Sequence, residues 1–343
     1  MCFTVKYLIV KHLLAAMGQL SLEKTFLLAA WAEALIYGFF FCIFSATMFI
    51  HFSPDTAGKR RIDRHGTVMI GISSVMFFIA TFHLAMNCFR LLRGYVDHRL
   101  SPGGPVAYIG NLRPWDHILK DTLYATQENL GSAASIYRCW VLWNGDWRVI
   151  LFPCVLLVVN FVAGYTVCGL YSSVDPTETV FDARLTNWIK TFYSIAVVLN
   201  IITTGLIAYR IWITHVKSSA YTAGTGRLLP ILRIFVESAA LQLIVETVLL
   251  ALYCSDINAQ YILLECVASI VGITFNAITI RIKLHTIAGA SSSHPSSGTN
   301  PVQTIGSIPL RRIHVNITRD VEDHVDGYGV KRRESQDASH SEG

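Results

Sequence analysis

Five ionisable residues stand inside stretches that are otherwise apolar: Glu33, His83, Glu128, Glu246 and Glu265. A carboxylate or imidazole at membrane depth is costly, so it turns toward a bundle interior or a water-filled cavity, where it takes a ligand or a cation, relays a proton or bonds a neighbouring helix. Helical geometry sorts the polar residues around them. Glu265, Ser269, Gly272, Asn276 and Thr279 recur at steps of four and three, which puts all of them on one helix face. Ser238, Gln242 and Glu246 make a similar stripe, whereas Glu237 is about half a turn out of phase with Glu246 and cannot serve the same site. The consecutive Gln127, Glu128 and Asn129 sweep about 200°, so at most two of them can point the same way. Interhelical hydrogen bonding, of order 1 kcal/mol for each bond, accounts for any one of these residues alone. The shared depth of the five ionisable residues groups them instead as an acidic, outward-facing cavity, suited to a cationic ligand or a proton.

The elements that would position them are transmembrane helices. The 343 residues are 52% hydrophobic and only 15% charged, with a mean hydropathy of +0.45, where a soluble domain is about a quarter charged. Length and pattern predict an all-α, seven-transmembrane-helix bundle over residues 25–283, after an N-terminal segment 1–24 and before a disordered cytoplasmic tail 284–343. The spans fall at about 25–51, 66–92, 118–143, 147–171, 187–213, 228–253 and 259–282. The third is expected at the centre: its polar trio is followed by the small run Gly131, Ser132, Ala133, Ala134 and Ser135, which lets neighbouring helices approach closely. Within segment 1–24, Met17 opens a more natural beginning, and the first sixteen residues read as an extension that completes neither a span nor a signal core.

Charge sets the expected orientation. Lys59, Arg60, Arg61 and Arg64 make the first loop basic, Asp175, Glu178 and Asp182 make the fourth acidic, and the sixth is nearly uncharged. An outside amino terminus and a cytoplasmic tail follow, against the contrary Arg90, Arg93, Arg99 and Arg113 of the second connection. Probable placement aside, the net charge of +5 is thus a topology signal in the plasma membrane and not a nucleic-acid footprint. The tail is too polar to bury a core; it carries the sequon Asn316-Ile317-Thr318, which a cytoplasmic location leaves unglycosylated, and Arg332-Arg333-Glu334-Ser335, a target for a basic-directed kinase. Cys168 and Cys254, at helix ends on one side, are a candidate disulfide; the cysteines within spans read as small buried hydrophobes.

No phosphate-cradling GxxxxGK[ST], no HExxH and no nucleophile elbow is present, so the chain is read as a non-enzyme with no cofactor and no metal. The seventh span has no lysine before Lys283, which excludes a retinal Schiff base. Arg138, at the inner end of the third span, has two readings: it snorkels to lipid headgroups, or it is a latch that changes partners between conformations, with Asn276 as the second candidate switch residue.

Seven spans, the Tyr137-Arg138-Cys139 foot of the third and Asn276 in the seventh loosely resemble the G-protein-coupled receptor architecture. Asn276-Ala277-Ile278-Thr279-Ile280 replaces Asn-Pro-x-x-Tyr, no Cys opens the third span, and the middle of the sixth has no Pro. A closer resemblance covers roughly residues 23–283. The segments EALIYGFFFCIFSATM, DTLYATQENLGSAASIYRCWVLWNGDWRVILFP and TTGLIAYRIW are similar to a large family of seven-helix membrane proteins from mushroom-forming fungi, one with no established activity. That resemblance implies the architecture and not a mechanism. The function expected is a receptor-like sensor of an extracellular small ligand, with the bilayer and a cytoplasmic signalling protein as partners. A small-solute transporter or channel, or a scaffold, is the alternative.

Overall fold

A computed structural model describes residues 20–53, 64–173, 183–219 and 228–291. All of them fall in the first of two compact units, Met1–Ser293; the second, His294–Gly343, lies outside the described residues. The described residues form α1 (Leu22–Phe52), α2 (Arg64–Leu92) with a π-helical turn at its end, α3 (Gly104–Ile109), α4 (Trp115–Leu142), α5 (Trp147–Leu170), α6 (Ala183–Ser219), α7 (Leu228–Cys254) and α8 (Gln260–Ser291), with no strand among them. Where the sequence reads as a Pro- and Gly-rich loop, at 101–114, the chain folds into the one-and-a-half turns of α3. The α4–α5 connection is tight because Asn144 and Gly145 both take positive φ, 56° and 83°, and the Asp146 side chain then caps α5 by accepting from the Arg148 backbone N–H. Cys168 and Cys254 are both free thiols.

Six of these helices, not seven, are long and apolar enough to cross a membrane. The exception is α4. Its 28 residues would extend about 42 Å, more than the roughly 30 Å of a bilayer core. Asp116, Lys120, Asp121, Gln127, Glu128 and Asn129 lower its hydropathy instead. The first-loop Lys59, Arg60 and Arg61, the fourth-loop acids, Met17, and the tail's sequon and kinase motif all lie outside the described residues.

Packing explains how so polar a helix is accommodated. α4 contacts α2, α5, α6 and α8, and α8 contacts α1, α2, α4 and α7, so these two helices form the middle of the bundle. Between Asp116 and Trp140 no α4 residue is exposed, and α8 has none from Gln260 to Ile280. The surrounding helices turn large apolar side chains outward: Trp31, Phe39 and Phe49 on α1, Phe78 on α2, Leu151, Phe152 and Phe161 on α5, Trp212 on α6, and Ile244 on α7. A polar inside with an apolar outside is the arrangement of a chain dissolved in lipid. The chain is an integral membrane protein. Small residues bring the central helices together: a Cβ on Gly131 would lie 2.4 Å from Val271, and one on Gly272 would lie 2.4 Å from the Phe40 ring.

Candidate functional site

Three polar assemblies lie within the bundle. The first joins four helices. His83 on α2 approaches Glu33 of α1 through Nδ1 at 2.7 Å, and Asn87, one turn further along α2, donates to the other Glu33 oxygen at 2.5 Å. The second imidazole nitrogen, Nε2, faces Glu265 of α8 at 3.7 Å, and Lys120 of α4 pairs with Glu265 through the remaining oxygen. Glu33, His83 and Glu265 each place a potential metal-ligating atom within 4.8 Å of the others. Here the Lys120 ammonium already supplies a positive charge to Glu265, so the assembly is self-neutralising without a metal.

The second assembly lies between α4, α6 and α7. Glu246 accepts from Gln242 at 2.7 Å and from Asn200 at 3.3 and 3.4 Å, and its carboxyl meets that of Glu128. The polar trio of α4 therefore faces three helices. Gln127 donates to the Ala268 carbonyl of α8 at 2.9 Å, Glu128 turns to Glu246 of α7, and Asn129 accepts from Asn160 of α5 at 3.1 Å.

The third assembly is at the other end of α4. Arg138 donates to the Phe275 carbonyl and to Thr279 Oγ1, both at 2.8 Å, and its guanidinium lies 4.0 Å from the centre of the Phe275 ring. Next to it, Ser73 donates to Asn276 at 2.5 Å, and Asn276 donates back to the Gly272 carbonyl at 2.9 Å. Arg138 is thus docked on α8 in the company of Asn276, rather than extended outward. Glu237 sits apart, exposed and 3.7 Å from Arg281, as its helical phase requires.

A cavity opens beside the first assembly, with about 70 Å³ available to the centre of a water-sized sphere, against about 10–15 Å³ for one water. Its walls combine Tyr124, Tyr171, Tyr193, Tyr253 and Tyr261 with Arg90, His117, Lys120, Asp121, Gln260 and Glu265. Of the five ionisable residues singled out by depth, Glu265 lines this cavity. Glu33 and His83 stand behind it through the Glu265 contact, and Glu128 and Glu246 form their separate pair. Several lining atoms are buried without a hydrogen-bond partner among the described residues: Arg90 Nη1, both His117 ring nitrogens, Gln260 Nε2 and Glu265 Oε2.

The rim is fastened by the second connection. Arg90, fully buried, lies 3.6 Å from Asp116 and donates to the Ile109 carbonyl of α3 at 2.7 Å. Tyr108 donates to Asp116 at 3.1 Å; burial, and then the adjacent Asp116 carboxylate, raise its phenol above the ordinary tyrosine value. Arg90, Asp116, His117, Lys120 and Asp121 are not evident from depth alone, since charges near a span end usually snorkel. A local signal did exist: Asp116 with Lys120 and His117 with Asp121 are both spaced by four, which stacks two complementary pairs on adjacent faces of a helix. The chain matches no family model, no curated protein and no solved structure, so its chemistry is argued from these side chains alone.

Proposed function

We propose that the protein is a seven-helix membrane sensor of a small polar ligand, in which α4 crosses the bilayer enclosed by the six apolar helices. The observation that carries this reading is the gathering of unpartnered donors and acceptors on one cavity. Buried polar atoms ordinarily find partners, so Arg90, His117, Gln260 and Glu265 together favour a ligand that both accepts and donates hydrogen bonds. Tyrosine rings on the remaining wall suit an apolar body. At the far end of α4, Arg138 holds α8, so a ligand that shifts α4 against α8 changes the surface around Arg138. The long helices run unbroken, whereas an alternating-access transporter would favour interrupted helices at mid-depth.

A panel of small uncharged and zwitterionic molecules, screened by thermal unfolding of the purified full chain, should yield compounds that stabilise the wild type and not His117→Leu. In cells, such a compound should alter a signalling reporter, and Arg138→Ala should shift that reporter's basal level several-fold. Uptake of the compound into vesicles bearing the protein, with a silent reporter, would replace the sensor with a transporter.

The orientation belongs to the same proposal: amino terminus outside, tail cytoplasmic, in the plasma membrane. A glycosylation tag inserted at 174–182 is expected to be modified and one at 54–63 to remain bare. The reverse pattern would invert the topology and put the cavity on the cytoplasmic side.

A further inference from the structure

We propose that Glu128 and Glu246 form a binding site for a small hard cation, directly beneath the ligand cavity. Both Glu128 oxygens are buried and accept no hydrogen bond, and the residue is 2% exposed. Its carboxyl meets that of Glu246, itself 5% exposed. No ion-pair partner faces either carboxylate among the described residues: the groups gathered here from α4, α6 and α7 are carboxyls, the amides of Asn200 and Gln242, and the Tyr124 phenol. Contrast the Glu33–His83–Glu265 assembly, which has Lys120. Two carboxylates side by side repel, and in a medium of low polarity that repulsion is not screened.

The donor set suits a hard ion. Amide N–H groups already hold Glu246 from two sides, fixing its direction, while Glu128 is left with both oxygens open. The Gln242 and Asn200 carbonyl oxygens, carried on the same amides and contacted by Thr274 and Thr204, add neutral oxygen ligands within one side chain's reach. Carboxylates with amide and hydroxyl oxygens are the ligands that Na⁺ or Ca²⁺ prefers, and nothing in the set favours a soft metal. Tyr124 links this site to the cavity: it lies one helical turn from Glu128 on α4, interacts with both glutamates, and forms part of the cavity wall. An ion bound below would therefore set the position of a residue the ligand touches. The inference does not depend on the sensor reading, since a transporter could use the same ion.

Thermal unfolding of the purified full chain in NaCl, in CaCl₂ and in N-methylglucamine chloride of matched ionic strength tests this. One of the two metal salts should raise the midpoint saturably, by about 5 °C when the ion is near a hundredfold over its dissociation constant. Glu128→Gln and Glu246→Gln should each abolish that dependence, and the response of the wild type to Na⁺ or to Ca²⁺ identifies which ion the site takes. Should either variant fail to fold, saturable binding of ²²Na⁺ or ⁴⁵Ca²⁺ to the wild type, displaced by the other unlabelled ion or by its own, supplies the supporting result. Equal midpoints in all three salts from pH 6 to 9, with no saturable radiolabel, would leave the pair occupied by a proton only and overturn the proposal. Salt dependence that survives in both glutamine variants would place the ion elsewhere and overturn it too.

Discussion

Lys120→Met is expected to cost the folded bundle about 3–5 kcal/mol, the usual penalty for removing one partner of a buried ion pair. Lys120 and Glu265 are both nearly inaccessible, and they join the central helices α4 and α8 directly. Without the ammonium, the Glu265 carboxylate remains buried among apolar side chains with Glu33 close by across His83. A loss of that size should lower the unfolding midpoint by roughly 10 °C in lipid nanodiscs. Adding Glu265→Gln to Lys120→Met should recover most of the loss, because the orphaned charge disappears with its partner. If the single variant unfolds with the wild type, or the second substitution worsens the first, the pair is not what holds α4 to α8.

Arg90→Met should be comparably damaging, at about 3 kcal/mol or more, for a different reason. This guanidinium neutralises the fully buried Asp116 and satisfies the Ile109 carbonyl, so one substitution strands an anion and frees the end of α3. Hydrogen exchange should rise sharply across 101–114 while the amides of α5 remain protected. Arg90→Lys should restore little, since a single ammonium cannot reproduce a planar fork that reaches both acceptors. Arg113→Ala is the control: its side chain is exposed and close in sequence, and it should be nearly neutral. Equal effects at positions 90 and 113 would show that charge, and not the buried contacts, matters in this segment.

The helices were legible because apolar runs and turn residues act locally. Asn144-Gly145 ends α4 where its turn chemistry requires, and the start of α5 at Trp147 follows at once. The ends of α6 and α8 were less so. Apolarity stops near residues 213 and 282, yet the helices continue to Ser219 and Ser291, because a helix can outlast the segment suited to lipid. The count of spans failed in an instructive place. α4 keeps the length of a span but has the polarity of an interior, and only tertiary packing reveals what surrounds it.

Within the site, the helical phase of residues 265–279 and of Glu237 against Glu246 was readable, since a period of 3.6 residues needs no tertiary knowledge. Which carboxylate meets which cation was not. Lys120 and Glu265 are 145 positions apart, and no local pattern encodes their contact. Arg138 likewise could be read in two ways from its depth; the bonds to Phe275 and Thr279 favour the inward one.

The enclosure of α4 has a consequence for biosynthesis. Of the four long helices that cover it, only α2 has been made when α4 leaves the ribosome; α5, α6 and α8 are still to come. Alone, a segment carrying Asp116, Lys120, Asp121 and Glu128 gains little from partitioning into hydrocarbon, at about 2.5–3.5 kcal/mol against insertion for each such charge near mid-membrane. It must therefore linger at the insertion machinery, or at an intramembrane chaperone, until later helices arrive to shield it. Membrane integration and folding then become one late, cooperative event, and the nascent chain is most open to quality-control degradation in the interval between α4 and α8.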